Sequence, residues 1–357
     1  MRLLALVPLS LSDSVVDSQM KSTLKRISKS AVFYKTHFEK PSCLFKVLGN
    51  LAKMMRLMRD VDYIYVRSQL DFLFVYIIRP ISLGKPKIWF DSRGVAPLEI
   101  SLRNGLFTNS SFVFIAVDRF IFKRADYITC VSKGIEEYIT TLAPARKSLA
   151  PIRVVPCVYG GQKTFSLINE DKNIHRVGKV CYVGSIAIWQ RFDLVCEAIK
   201  ILNDRVDCIE FGVVNNNPDD IINNSNFSDI CSFSNVIALS HSEVVNYIKN
   251  FSIGIICRDN SLLNYCASPI KIAEYINAGL GVIVIGGWSS TVEMAIQKGF
   301  AVYFKDLATF KSFCFDHDQS TLLSFFDDLR PGQRSTDDFQ YEKYAGLIAD
   351  DMRLIRT

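Results

Sequence analysis

Short apolar runs that alternate with stretches of helical spacing constrain this chain more than any other feature. In the first half they read LLALVP, AVFY, YIYV, KIWF, YITCV and RVVPCV. In the second half they read VCYVG, CIEFGVV, NVIAL, SIGIIC, GVIVI and AVYF. A run that is apolar at every position suits a strand covered on both faces, and βα alternation builds parallel sheets. Two such series in succession predict an α/β chain of two Rossmann-like, doubly wound domains facing a cleft. A length of 357 residues suits two cores better than one. The boundary is expected within residues 160–171, where GGQKTFSLINED has no periodicity. Residues 15–29 and 44–59 have helical spacing, 318–321 and 330–335 read as loops, and 337–355 reads as a separate amphipathic helix.

Charge is unevenly placed. Residues 1–165 hold 25 Lys and Arg against 12 Asp and Glu, and the remainder holds 17 against 24. A basic first half suits anionic phosphates or an acidic membrane surface, and equally two domains of opposite sign. The ten cysteines include no CxxC pair, and Cys181, Cys208 and Cys257 lie in apolar runs, as buried small hydrophobes do. None of His37, His175, His241 and His317 has a partner at metal-ligand spacing. MRLLALVPLSLS reads as a first strand rather than a signal peptide, and FLFVYII and SFVFIAV are too short to span a bilayer. The basic helix expected over 44–59 could rest on a membrane or pack on a sheet.

Residues 264–287, NYCASPIKIAEYINAGLGVIVIGG, carry the clearest chemical signal. Ser268 is expected as a helix N-cap, with Pro269 at the first helical position and Gly279 at the end. Lys271 and Glu274 project together, three positions apart. A helix N-terminus binds phosphate, and a nearby carboxylate can hold a ribose. Gly184 and Ser185 open a turn at a strand end, where backbone N–H groups approach phosphate, and Arg191 follows. Arg258 follows SIGIIC and Asp91 and Arg93 follow KIWF, all at carboxyl ends of strands, where open α/β sheets gather ligands. Arg67 and Ser68 follow YIYV in the same way.

The order of YVGSIAIWQRFDLVCEAIKIL, NVIALSHSEVVNYIKNFSIGIICR and ASPIKIAEYINAGLGVIV, with WFDSRGVAPLEISLRNG and RADYITCVSKGIEEYI before them, resembles the GT-B glycosyltransferases, most closely glycosyltransferase family 4. The resemblance covers most of the chain. It implies an acceptor-side domain over 1–165, a nucleotide-sugar domain over 166–334 and a C-terminal helix over 335–357 that crosses back to the first domain. It implies a retaining, metal-independent hexosyl or glycosyl transfer from a nucleotide diphosphate sugar to a hydroxyl of a lipid-linked saccharide, in cell-surface polysaccharide synthesis such as capsule or O-antigen. No cofactor, metal or nucleic acid is implied. A cytoplasmic place is expected, with peripheral contact at the inner membrane surface.

Donor binding then falls to Glu274, Lys271, Ser268, Pro269, Gly184, Ser185, Arg191 and Arg258, and catalysis to Asp91 and Arg93. Glu274 is the second of the family's paired glutamates, while the first position holds Cys266. Positions where the family often has phosphate-binding cations hold Ser185, Gln190 and Arg191. The rival readings are a nucleotide-sugar epimerase or hydrolase on the same fold, and a catalytically silent partner in a polysaccharide assembly complex.

Overall fold

A computed structural model describes residues 1–8, 24–25, 27–28, 30–36, 54–82, 85–104, 109–144, 151–158, 178–332 and 334–356. They fall into two compact units, Met1–Pro156 with Gln340–Thr357, and Cys157–Phe339. The segment 160–171, the first part of the helix expected at 15–29, the stretch 44–53, His37 and His175 lie outside the described residues. Residues 54–59 are helical, with Met54 and Met58 buried.

Unit 1 is built on β1 (Arg2–Pro8), β2 (Ser30–Thr36), β3 (Tyr63–Val66), β4 (Lys87–Ser92), β5 (Tyr127–Cys130) and β6 (Ile152–Val154). They form one parallel sheet in the order β2-β1-β3-β4-β5-β6. Between strands lie α1 (Gln69–Ile78), α2 (Ala96–Asn104), α3 (Asn109–Arg124) and α4 (Lys133–Leu142). All four residues of both β3 and β5 are buried, which is why they read as unbroken apolar runs. The chain steps from β1 out to β2, then returns to β3 on the other side of β1. The topological switch of this sheet therefore lies between β1 and β3.

Unit 2 repeats the plan with β7 (Lys179–Val183), α5 (Phe192–Asn203), β8 (Glu210–Val214), α6 (Pro218–Ile222), β9 (Ser234–Ile237), α7 (His241–Ile248) and β10 (Ile253–Cys257). It continues through α8 (Leu262–Cys266), α9 (Ile270–Asn277), β11 (Gly281–Ile285), α10 (Ser290–Gln297), β12 (Ala301–Phe304), α11 (Leu307–Asp316) and α12 (Gln319–Asp328). The parallel order is β12-β11-β10-β7-β8-β9, so the switch lies between β7 and β10. Two clusters of buried apolar side chains cover the two faces of this sheet. One gathers Phe192, Val195 and Ile199 of α5, and the other Ile272, Tyr275 and Ile276 of α9.

The last helix, α13 (Tyr341–Arg356), belongs to unit 1. Its Ile348 and Met352 are fully buried. Asp351 accepts from Tyr127 Oη at 2.8 Å and from Arg153 Nε and Nη2 at 2.8 and 2.6 Å. Tyr63 Oη donates to Met352 O at 3.0 Å.

Two expectations change. Residues 318–321 are not a loop: Asp318 caps α12, accepting from Thr321 N–H and Ser320 Oγ at 2.8 Å each. Hydrogen bonds to its carboxylate, the Thr321 backbone bond first, hold its pKa at about 2. The first turn, QST, has no apolar residue, so periodicity misses it. Cys208 is exposed at φ +60, in the turn before β8, whereas Cys181 and Cys257 are buried in strands.

Candidate functional site

In unit 2 the candidate site lies along the carboxyl edge of the sheet, beside its switch point. The helix α9 starts at that edge and runs back to the amino end of β11. At its C-terminus Gly279 takes φ +86, Gly279 N–H donates to Ile276 O at 3.0 Å, and Leu280 N–H donates to Tyr275 O at 3.0 Å. This pair of bonds is a Schellman closure, which requires glycine at the left-handed position. Mid-helix, Tyr275 is fully buried, and its hydroxyl accepts from Val183 N–H at 2.8 Å. That bond ties α9 to the end of β7, next to Gly184.

The start of α9 corrects one expectation. Pro269, at φ −66 and ψ 107, is the N-cap, and Ser268 does not cap the helix. The Ser268 hydroxyl instead accepts from Cys157 N–H at 2.8 Å and bonds Thr291 Oγ1 of α10 at 2.7 Å. Tertiary partners have claimed the side chain that local spacing assigns to the cap. The first bond within the helix runs from Ile272 N–H to Pro269 O at 3.2 Å, so Ile270 and Lys271 occupy the positive first turn.

Glu274 is 2% exposed and pairs with Lys271 Nζ at 2.7 Å, and Lys271 is 30% exposed. Glu274 is thus a buried carboxylate whose ion-pair partner is a partly exposed lysine one helical turn back. Cys266 ends α8 and is 4% exposed.

The turn after β7 is locked by side chains. Tyr182 Oη donates to Ser185 O at 2.6 Å and lies 2.8 Å from Gln190 Oε1. A Cβ on Gly184 would push against Gln190 Oε1 and the Tyr182 hydroxyl, so the glycine lets both side chains close over the turn. The N–H of Gly184 donates to Val214 O at 3.1 Å, which leaves the phosphate approach expected of this turn to Ser185.

The two arginines differ. Arg191, at φ +42, bonds Asp193 at 2.6–3.2 Å and also bonds Asp259. Hydrogen bonds to Asp193, then Asp259, push its pKa up, and two carboxylates offset its charge. The guanidinium of Arg258 donates to the neutral Asn264 Oδ1 at 3.1 Å. Burial pulls the Arg258 pKa down. Gly286 and Gly287, at φ +68 and +61, bring β11 against Arg258; a Cβ on Gly286 would meet Arg258 O at 2.1 Å. Arg258 is therefore the cation of this edge least offset by carboxylates.

In unit 1 strand register assembles a second cluster. Val66 of β3 pairs with Phe90 of β4, and Asp91 of β4 pairs with Thr129 of β5. Arg67 therefore stands beside Asp91. Asp91 is 2% exposed. It accepts from Arg93 Nε at 2.7 Å and Thr129 Oγ1 at 2.7 Å, and also from Tyr65 Oη. Trp89 Nε1 donates to Thr129 Oγ1 at 2.9 Å and fixes that hydroxyl. Burial raises the Asp91 pKa, but Arg93, Arg67 and the two hydroxyls outweigh it and hold the carboxyl below its ordinary value. Burial, with the Asp91 charge, pushes the Tyr65 pKa well up. Arg67 is the residue that sequence reasoning underweighted; its signal was its place just past a strand's carboxyl end.

Among the described residues no group of three or more His, Cys, Asp or Glu side chains could hold a metal ion. Among them, too, no helix is long and apolar enough to cross a membrane.

The two-sheet fold has counterparts among solved structures. HepE of Anabaena, in complex with UDP and glucose, matches with a TM-score of 0.69 at 10% identity, over 99% of each chain. WaaG, a glycosyltransferase involved in lipopolysaccharide biosynthesis, matches at 0.65 and 11%, over 98% of this chain and 99% of that one. The fold is the GT-B glycosyltransferase fold. In sequence, an uncharacterized glycosyltransferase of Methanocaldococcus jannaschii is 25% identical over 182 residues, which is 47% of this chain and 43% of that protein. The match thus spans less than half of that relative's length. No family model matches the chain. The GT-B likeness covers both units.

Proposed function

We propose that the chain is a glycosyltransferase that moves a sugar from a nucleotide diphosphate sugar to a hydroxyl of a saccharide acceptor. The observation that carries this reading is Glu274, buried on α9 beside the switch point, with Lys271 bound to it at 2.7 Å. The ribose hydroxyls take the place of Lys271 on Glu274, and the freed ammonium turns to the pyrophosphate. Negative charge grows on the leaving pyrophosphate as the glycosidic bond breaks. Lys271, Arg258 and the first turn of α9 stabilise it, in a setting where such charges act strongly. Retention, independence from metal, and a lipid-linked acceptor in cell-surface polysaccharide synthesis complete the proposal, as do donor roles for Ser268, Pro269, Gly184 and Ser185 and a minor one for Arg191. The proposal puts an acceptor side in unit 1 and a donor side in unit 2.

The ligand named for HepE makes UDP the first probe. Isothermal titration with UDP should show binding, and Glu274→Ala should weaken it by about tenfold or more, near 1.4 kcal/mol. Absence of binding to UDP and to the other nucleoside diphosphates would overturn the reading. Unchanged affinity in Glu274→Ala would remove the ribose role.

Peripheral membrane contact finds support on α1 and α3. Leu70, Ile77 and Ile81 are exposed on and just after α1, and Phe112, Val113 and Phe120 on α3. Arg119, Lys123 and Arg124 are exposed on the same helix α3, while the one acid of each helix, Asp71 and Asp118, is buried. Apolar side chains flanked by cations suit an anionic lipid surface. Co-sedimentation with anionic but not zwitterionic vesicles, lost on Phe112→Ser with Ile77→Ser, is the expected result.

A further inference from the structure

The cluster around Asp91 holds a buried donor that it does not use. Two guanidinium groups, Arg67 and Arg93, lie within 4 Å of the Asp91 carboxylate. That carboxylate is already engaged: Oδ2 accepts from Arg93 Nε and Tyr65 Oη, and Oδ1 accepts from Thr129 Oγ1. Arg67 Nε stands off at 3.8 Å from Oδ2, too far for a hydrogen bond, although the side chain is only 12% exposed. That Nε is buried and makes no hydrogen bond. A buried donor without an acceptor is costly, and a guanidinium carries its five donors in a planar fork that matches phosphate oxygens.

Position adds a second, independent pointer. Arg67 is the first residue past β3, and β3 borders the switch point of the unit 1 sheet. Ligands in open α/β sheets bind outside the carboxyl ends of strands at that point. The helix α1 starts two residues after Arg67, with Ser68 as N-cap, its hydroxyl accepting from Asp71 N–H at 3.4 Å. Its positive end thus faces the same edge as Arg67.

We propose that Arg67 and Arg93 form an anion subsite on unit 1 that takes a phosphoryl group, with Asp91 as the positioning residue that spaces the two guanidiniums. Asp91 is nearly fully buried, has its pKa held below the ordinary value and accepts three hydrogen bonds, so it holds cations rather than accepting a proton from a sugar hydroxyl. Arg67, with its unused Nε donor, supplies the binding charge. The assignment of that phosphoryl group to the acceptor rests on the transferase reading; the existence of the subsite does not.

The test uses the full chain with UDP at saturation, so that phosphate sites of unit 2 are filled. Inorganic phosphate is titrated while the thermal midpoint is followed, comparing wild type, Arg67→Met and Arg67→Lys. Wild type should be stabilised. Arg67→Met, which keeps the aliphatic stem, should need at least about tenfold more phosphate for the same shift. Arg67→Lys should fall between them, because a lysine keeps the charge without the fork. Lys200→Ala, on the surface of unit 2, should match wild type. Circular dichroism checks that Arg67→Met is folded.

Equal phosphate response in wild type and Arg67→Met, or none in wild type, overturns the subsite. If UDP fails to bind while phosphate still acts through Arg67, the transferase reading falls and the subsite stands. A hexose phosphate and a polyprenyl phosphate in micelles then distinguish the sources. Whichever shows the larger Arg67-dependent gain over inorganic phosphate identifies what carries the phosphoryl group.

Discussion

Replacing Gly254 by alanine should drive a wedge between the unit 2 sheet and the donor-side helix α9. Gly254 lies mid-strand in β10, paired with Val282 of β11 and Cys181 of β7. A Cβ there would stand 2.3, 2.4 and 2.6 Å from Cδ2, Cγ and Cε2 of Tyr275. The ring cannot simply swing away, because it is fully buried and its hydroxyl holds Val183 N–H at 2.8 Å. Overpacking of this kind costs about 1–3 kcal/mol. Releasing the Val183 N–H without a new partner adds about 1–3 kcal/mol. Together that is about 2–6 kcal/mol, and at roughly 2–4 °C per kcal/mol for a unit of this size the midpoint should fall by about 4–24 °C. Differential scanning fluorimetry measures that fall, and titration with UDP should show weaker binding, since α9 carries both Lys271 and Glu274. In a Tyr275→Leu background, where the ring is gone, the added methyl should cost less than about 1 kcal/mol. A midpoint shift below about 1 °C in the single variant, or the same cost in both backgrounds, would refute the wedge.

Arg258→Met should reduce UDP affinity about tenfold while Arg191→Met changes it less than about threefold, because Asp193 and Asp259 already offset Arg191. Isothermal titration of the two variants decides it. Asp351→Ala should destabilise unit 1 by about 1–3 kcal/mol, mostly by stranding the Tyr127 hydroxyl, since the partly exposed Arg153 stays hydrated. Urea unfolding reads that change. The Asp91 carboxyl has a lower pKa folded than unfolded, so its contribution is complete above the unfolded value near 3.9 and fades as pH falls through the folded one. Asp91→Asn should therefore be less stable than wild type at neutral pH, with the deficit shrinking toward about pH 3. A constant deficit across that range would count against the carboxylate's ionic role.

The strands were legible because each is buried on both faces, so composition alone marks it. β11 and β10 are buried at every residue. Helix starts were less legible where capping side chains compete among partners. Ser268 looks like a cap in sequence, yet its hydroxyl meets Cys157 and Thr291, which lie 111 and 23 positions away. Asp318 looked like part of a loop because its helix opens on polar residues. The cluster around Asp91 was half legible. Sequence placed Asp91 and Arg93 at a strand's end, but only the register of β3, β4 and β5 puts Tyr65, Arg67 and Thr129 around that carboxylate. The unused Nε donor of Arg67 is a property of that register, and no local pattern announces it.

The return of α13 to unit 1 sets an order on synthesis. Unit 2 is one continuous stretch, Cys157–Phe339, whereas unit 1 needs residues from 340 onward. A ribosome makes all of unit 2 before it releases Ile348, Asp351 and Met352, on which Tyr63, Tyr127 and Arg153 depend. The first-made unit is thus the last to be completed, and during translation its sheet waits with the Tyr127 hydroxyl and the Arg153 guanidinium lacking their carboxylate. Nascent chains stalled before and after residue 351 should differ sharply in protease resistance of unit 1, while unit 2 is already protected in both.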